Sequence, residues 1–385
     1  MKVREKKREI EEMALSLLIK PASGACNMRC RYCFYADEAE HRSKALMGMM
    51  TAETMEQILR RVYETDCGIC SVAFQGGEPT LAGLDFFKSF TQLALTLPNP
   101  HRVRLQISMQ TNGLLIDEEW AHWFKENHVL VGISLDGPKA LHDRYRVDAE
   151  EQGTFGRVIN GIELLRRFGV DFNILSVITA EAAKNAGRIY SHFTDCGLDY
   201  HQFIECLDPL GEENGAAEYS LTPRAYAGFL KELLDVWHRD MMSGHYVYNR
   251  YFENLMMIMA GQHPESCALQ GCCGNHFVIE ADGSVYPCDF YVLDEWRIGD
   301  VFRDSWAELE RSIRASGFIQ ASFPVPEKCR KCRVFALCRN GCRRLRTAAV
   351  GSSVPENIYC EAYAEFLPYA VPKLREVLKM LESRV

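Results

Sequence analysis

Six short apolar runs frame this chain: Ser16–Lys20, Cys70–Phe74, Val103–Met109, Val129–Asp136, Phe172–Thr179 and Gln202–Leu207. Each is rich in Val, Ile, Leu or Phe and has the length of a buried strand. Segments of helical periodicity separate them, among them Thr51–Thr65, Glu118–Glu126, Phe155–Phe168 and Ala180–Asp195. Strand–helix alternation demands crossover connections, so it predicts an α/β fold with a parallel sheet, open or closed into a partial barrel. In such sheets, ligand-binding groups gather on loops at the C-terminal strand ends. Past Leu210 the pattern changes. Arg224–His238, Tyr251–Met259 and Glu361–Leu381 read as helices, and beyond Cys267 Cys, Gly and Arg crowd a segment of little periodicity. Two domains are expected, with the boundary between residues 210 and 262.

The 385 residues include 16 cysteines, too dilute for a small disulfide scaffold and too many for core filling alone. No apolar run approaches the ~18 residues of a membrane span. Met1–Met13 is a mixed-charge stretch without the apolar centre of a secretory signal. A reducing, cytoplasmic compartment is expected, where thiols bind metal rather than pair. The net charge of −8 argues against nucleic acid as the main partner.

The first thiol group is Cys26-x3-Cys30-x2-Cys33, directly after the first apolar run. Three thiols this close cannot all pair as disulfides. A tetrahedral zinc wants a fourth ligand, and His41 is the nearest candidate; a zinc loop completed from afar is one reading. A four-iron cluster held by three cysteines is the other, and it leaves one iron open to a non-protein ligand. The second group is Cys267-x5-Cys273-x14-Cys288, then Cys329-x2-Cys332-x5-Cys338-x3-Cys342-x17-Cys360. Eight cysteines suit two four-ligand sites: two fully ligated four-iron clusters, two structural zincs, or a zinc ribbon on nucleic acid. Arg330, Lys331, Arg333, Arg339, Arg343, Arg344 and Arg346 make the stretch basic, which fits a ribbon and equally offsets negatively charged thiolate clusters. Cys67, Cys70, Cys196, Cys206 and Cys272 remain. Cys67-Gly68-Ile69-Cys70 has the form of a redox pair, but it enters a buried strand, and core packing is expected for it and for Cys196 and Cys206.

Cys26-x3-Cys30-x2-Cys33 after the first strand of a repeating β/α chain resembles the signature of the radical S-adenosylmethionine (SAM) superfamily, with Tyr32 as the aromatic before the third cysteine. The resemblance implies that the open iron chelates SAM and that electron transfer cleaves it to a 5′-deoxyadenosyl radical. Gly76-Gly77-Glu78-Pro79, after the second run, matches that superfamily's GGEP motif. Two glycines let backbone approach a ligand closely, and Glu78 can accept from an ammonium group; the same residues are also good turn chemistry. Ser134 resembles the position that contacts SAM, or else satisfies the turn before Gly137-Pro138. Gln110-Thr111-Asn112-Gly113 resembles the QTNG turn and reads as mainly structural.

Cys273-x9-Gly283-x4-Cys288, followed by the later cysteines, resembles the SPASM extension of radical SAM peptide-modifying enzymes. By that resemblance one auxiliary cluster takes Cys267, Cys273, Cys288 and Cys342, and the other takes Cys329, Cys332, Cys338 and Cys360. Cys272, beside Cys273, is an alternative ligand. Within the group, Ser16–Pro21, Cys33-Phe34-Tyr35, Phe74–Leu81, Leu207–Leu210 and Asp282–Tyr291 resemble the anaerobic sulfatase-maturating enzymes, over nearly the whole chain from Ala14 to the last cysteine.

That resemblance implies a partial (β/α)6 barrel radical SAM core over residues 14–246, a cysteine-rich SPASM domain with a C-terminal helix over 247–385, and an unrelated extension over 1–13. It implies three 4Fe-4S clusters and SAM as cofactors. The implied partners are a sulfatase Cys/Ser-x-Pro-x-Arg-like segment as substrate and a low-potential donor such as ferredoxin or flavodoxin, with no nucleic acid and no membrane. The implied activity is oxidation of a Cys or Ser residue to Cα-formylglycine. The radical takes hydrogen from the target Cβ, Asp289 takes the thiol or hydroxyl proton, and the second electron passes towards an auxiliary cluster. A carboxylate beside a negatively charged cluster has a raised pKa, which suits proton acceptance; the plain reading of Asp289 is a turn residue. Tyr35, Gln75 and Leu207 are implied to line the pocket for the target side chain, with core packing as the plain alternative. Thioether crosslinking or epimerisation of another ribosomal peptide is the competing activity, and a zinc-stabilised binding module the competing non-enzymatic reading. Oxygen-labile clusters imply an anaerobe's cytoplasm.

Overall fold

A computed structural model describes residues 14–348 and 353–383; the 1–13 extension lies outside them. In chain order the first strands are β1 (Ala14–Ile19), β2 (Ile69–Phe74), β3 (Arg104–Thr111), β4 (Leu130–Ser134) and β5 (Phe172–Ile178). There follow β6 (Tyr200–Glu205), β7 (Tyr248–Asn249), β8 (Phe277–Ile279), β9 (Ser284–Tyr286) and β10 (Gly299–Asp300). The chain forms two compact units, and neither is a continuous stretch. One takes in the chain up to Ser134 with Arg146–Phe172 and Asn275–Gly317. The other takes in Leu135–Tyr145, Asn173–Gly274 and the chain from Phe318.

In the first unit β1, β2, β3 and β4 lie side by side in chain order and all parallel, each reached through a helical crossover. Alternate residues of β2 are buried, as expected for a strand with helices over its faces. The helices Ala52–Tyr63 and Glu118–Glu126 start on side-chain caps, Thr51 accepting from Thr54 N–H and Asp117 from Trp120 N–H. Behind the sheet, Phe74, Phe87, Phe90, Trp120 and Phe124 form a buried aromatic core, with Phe74 and Phe87 edge-to-face at 5.0 Å. On the other side of β1 the sheet is extended by β8, pairing parallel at Leu17↔Phe277. The chain then turns at Asp282-Gly283, where Gly283 takes φ 87°, and returns as antiparallel β9.

The second unit carries β5, β6 and β7, again parallel. The long helix Pro223–Ser243 begins on a Thr222 cap with Pro223 in its first turn and ends at left-handed Gly244. Its buried face holds Tyr226, Leu230, Leu233 and Trp237. Tyr226 meets Tyr359, which directly precedes the C-terminal helix Cys360–Glu382, at 5.0 Å. Ala180–Asp195 is a single helix by periodicity but breaks in the structure. A 3-10 turn, Ala182–Lys184, leads through Asn185 into the helix Ala186–Asp195.

Cys67, Cys70 and Cys206 are buried, as expected of core cysteines, and no disulfide links any of the sixteen. Cys196 departs from that expectation. It ends the helix Ala186–Asp195, where its N–H donates to His192 O at 3.2 Å, and it is exposed. Among the described residues no helix is long and apolar enough to cross a membrane.

Candidate active site

The first thiol group lies between β1 and the helix Phe34–Glu40, for which Cys33 is the N-terminal flanking residue. The loop is folded by Ala25 N–H donating to Ala22 O (2.9 Å) and Cys33 N–H to Cys30 O (3.1 Å). All three thiols are half-buried. The Cys26 sulfur accepts from Met28 N–H at 3.4 Å and from Asn112 Nδ2 at 3.8 Å. Burial above all, then the charges of Glu78 and Cys33, pushes the Cys26 thiol up to about 11. A buried thiol that resists ionisation is matched by a metal cluster, which supplies the missing positive charge. The donor set therefore fits a thiolate-bound cluster. Among the described residues no three Cys, His, Asp or Glu side chains close on a single ion; thiolates around a multi-iron cluster need not, since each binds a different iron.

The GGEP turn is built against this loop. Gly77 N–H donates to Ser23 O and Glu78 N–H to Ala25 O, both at 2.8 Å. A Cβ on Gly77 would lie 2.1 Å from Ala25 O, and one on Gly76 (φ 122°) 2.9 Å from Ser23 O. The glycines thus admit the backbone of the cysteine loop, where the sequence pointed to close approach of a ligand. Glu78 is held by donors from both turns. Its Oε1 accepts from Thr80 N–H (3.0 Å), Thr80 Oγ1 (2.6 Å) and Thr111 Oγ1 (2.7 Å), and its Oε2 from Asn112 N–H (2.8 Å). The residue is 1% exposed. A carboxylate has about four acceptor sites; three donors crowd Oε1 and one reaches Oε2. Glu78 ties the GGEP turn to the Gln110–Gly113 turn, and Asn112 Nδ2 carries the link to Asn27 Oδ1 at 2.7 Å.

Tyr32 is buried, with the Arg146 guanidinium 5.4 Å from its ring centroid. Ser134 stands at the C-terminal end of β4 and accepts from Gln110 Nε2 at 3.2 Å, joining the ends of β3 and β4.

Three residues of the sequence reading, far apart in the chain, meet in the first unit. The Tyr35 hydroxyl donates to Asp289 Oδ2 at 2.6 Å. Gln75 Nε2 donates to the Tyr35 hydroxyl oxygen at 2.7 Å and to Asp289 Oδ2 at 3.3 Å. Asp289 Oδ1 is buried with no hydrogen-bond partner. Burial holds the Asp289 carboxyl above the usual range, against the charge of Lys20 and the Tyr35 hydrogen bond, which pull it down.

Lys20, Glu38, Arg42 and Glu280 complete this cluster and escaped the sequence reading. Glu280 is fully buried and accepts from Arg42 Nη1 at 2.7 Å, with Lys20 Nζ at 3.0 Å. Burial pushes Glu280 up, but the two cations hold it below the ordinary range. Lys20 Nζ also lies 4.8 Å from the Tyr35 ring centroid, so the ring that positions Asp289 is itself held by a fixed charge. Glu38 Oε1 accepts from Val292 N–H at 3.4 Å, and its Oε2 has no partner. Burial first, and Asp289 as a like charge, raise Glu38 to about 8 despite Lys20.

The second unit holds seven of the eight C-terminal thiols, and Cys288 belongs to the first unit. Cys342, pushed up to about 12 mainly by burial, feels the charges of Cys267 and Cys273. Cys338, at about 11, feels those of Cys360, Cys329 and Cys332. The thiols thus gather as two separate sets. Leu207, half-buried, follows β6 in this unit.

A model of the radical SAM superfamily matches residues 21–181, and one of the SPASM iron-sulfur cluster-binding domain matches residues 267–333. The cysteine-type anaerobic sulfatase-maturating enzyme of Clostridium perfringens is 45% identical over 94% of this chain and 98% of its own. The serine-type enzyme of Klebsiella aerogenes is 32% identical over 93% of this chain and 86% of its own. A solved structure of native anSMEcpe with bound AdoMet and Cp18Cys peptide has a TM-score of 0.90 at 44% identity, covering 96% of this chain and 99% of that one. The chain belongs to the anaerobic sulfatase-maturating enzymes of the radical SAM superfamily.

Proposed function

We propose that this protein oxidises a cysteine in a peptide-like segment of a sulfatase to Cα-formylglycine, using SAM and three 4Fe-4S clusters. The observation that carries the reading is the Tyr35–Gln75–Asp289 group, whose Tyr35 lies two residues past Cys33, in a chain 45% identical to a cysteine-type enzyme. Cys26, Cys30 and Cys33 hold the cluster that binds SAM, with Gly76, Gly77, Glu78, Tyr32 and Ser134 shaping its surroundings. Cys267, Cys273, Cys288 and Cys342 are assigned to one auxiliary cluster, and Cys329, Cys332, Cys338 and Cys360 to the other. Bound there, cluster and SAM would supply the 5′-deoxyadenosyl radical that removes hydrogen from the target Cβ. The second electron would pass towards an auxiliary cluster, and water would replace the sulfur, which leaves as sulfide.

The protein's own part is to hold the target and to move its proton. Asp289 takes the thiol proton at Oδ1, the oxygen left without a partner. Tyr35 and Gln75 fix Oδ2 and so aim the carboxylate. Tyr35 and Gln75 line the pocket for the target side chain. A low-potential donor such as ferredoxin or flavodoxin provides electrons in the cytoplasm, where oxygen-labile clusters persist.

The test is anaerobic incubation of the reduced, cluster-loaded protein with SAM and a short Cys-x-Pro-x-Arg peptide. The mass change of thiol to aldehyde is expected. An unmodified peptide alongside active SAM cleavage would overturn the assignment and favour another peptide chemistry.

A further inference from the structure

Arg346 is buried, at 8% exposure, and no carboxylate pairs with it among the described residues. All its hydrogen bonds go to backbone carbonyls. Nε donates to Asn340 O (2.9 Å), Nη1 to Ser322 O (2.6 Å), and Nη2 to Gly271 O (3.1 Å) and Gly341 O (2.7 Å). Carbonyls satisfy its protons but leave its charge without a counterion, a costly state in a protein interior. The groups within its reach that become negatively charged when they bind a cluster are thiols. Cys273, Cys342, Cys338 and Cys272 act on Arg346, and Arg346 in turn acts on Cys273 and Cys329. These residues come from both thiol sets.

The carbonyls it holds lie on the ligand loops themselves. Gly271 precedes Cys272-Cys273, while Asn340 and Gly341 connect Cys338 of one set to Cys342 of the other. That connection is a strained turn: Arg339, Asn340 and Gly341 have φ of 49°, 67° and 61°. Two of the three are not glycine, and their conformation persists only where the surroundings impose it.

We infer that Arg346 is a counter-charge shared by the two auxiliary clusters, fixing the turn between them and raising the reduction potential of both. Reduction adds one negative charge to a cluster, and a fixed cation in a low-dielectric setting favours that form. The inference rests on the assignment of the eight C-terminal cysteines to two clusters.

The experiment compares wild type, Arg346→Lys and Arg346→Gln after anaerobic reconstitution. It measures iron per chain and follows each cluster's paramagnetic signal through a redox titration. In Arg346→Gln both auxiliary potentials are expected to shift downward, with the potential of the Cys26–Cys33 cluster unmoved; Arg346→Lys should stay near wild type. Unchanged auxiliary potentials in Arg346→Gln overturn the inference, and a shift in only one overturns the shared role. Loss of auxiliary iron in Arg346→Gln alone also supports a charge requirement, whereas equal loss in both variants reduces Arg346 to a carbonyl clamp and overturns it. A wild-type chain that takes up no auxiliary iron overturns the cluster assignment instead.

Discussion

Tyr35 reaches across 254 positions of sequence to donate a 2.6 Å hydrogen bond to Asp289. The bond leaves one carboxylate oxygen held and the other open. Tyr35→Phe removes the donor while keeping the ring under Lys20. A hydrogen bond to a charged group contributes ~1.5–3 kcal/mol, so formylglycine formation should fall about 10- to 100-fold. Release of 5′-deoxyadenosine, measured in the same assay, should persist.

Asp289→Asn keeps the shape and the Gln75 environment but cannot take a proton. Loaded iron should match wild type, and peptide oxidation should drop by about 10²–10⁴, the usual contribution of a general base. Full activity in this variant would show that another group receives the proton.

Gly77→Ala places a methyl group 2.1 Å from Ala25 O, against backbone that leads directly into Cys26. The cysteine loop must move. Loss of iron from the N-terminal site and a lower melting temperature are expected. Gly68→Ala, with nothing within 4 Å, is the control and should be silent.

Cys273 is the thiol whose charge, with that of Cys267, acts on Cys342. Cys273→Ala should therefore cost the protein one cluster, read as about four irons per chain. Cys272→Ala should retain the full count.

Glu38 gives a pH signature. Its carboxyl is raised from 4.5 to about 8 in the folded protein, so the folded state binds this proton more tightly than the unfolded chain. The stability tied to it is complete below the ordinary carboxyl range and is lost as pH rises through about 8, at ~1.4 kcal/mol per unit between the two values. Glu38→Gln cannot ionise. Melting temperatures at about pH 5 and about pH 9 should converge for the variant, relative to wild type.

The parallel strands were legible because buried strands announce themselves as unbroken apolar runs: each of the six runs overlaps a strand from β1 to β6. β8 and β9 were not, at three residues each, because so short a run carries no periodicity against cysteine-rich surroundings. The same limit hid the helices Phe34–Glu40 and Lys139–Tyr145, two turns apiece. The thiols were legible from spacing, since several close cysteines in one loop have few uses. Lys20, Glu38, Arg42 and Glu280 were not. A buried ion cluster is made by tertiary approach, and before folding its members look like any surface charge. Glu78 shows a further limit: its motif was plain, but the donors that hold its oxygens include Thr111 and Asn112 in another turn.

The return of Asn275–Gly317 to the first unit bears on how such a protein can be recombined. A cut after residue 246 looks natural on the linear chain, yet it would remove β8, the neighbour of β1. It would also take away Glu280, leaving Lys20 and Arg42 as two buried cations without their shared anion. A cysteine-rich tail transplanted from a relative must therefore bring a strand and a carboxylate that fit the recipient's first strand. Core and tail are separate words in the sequence but share one sheet, and chimaeras that respect the linear boundary will fail at that buried carboxylate before any question of chemistry arises.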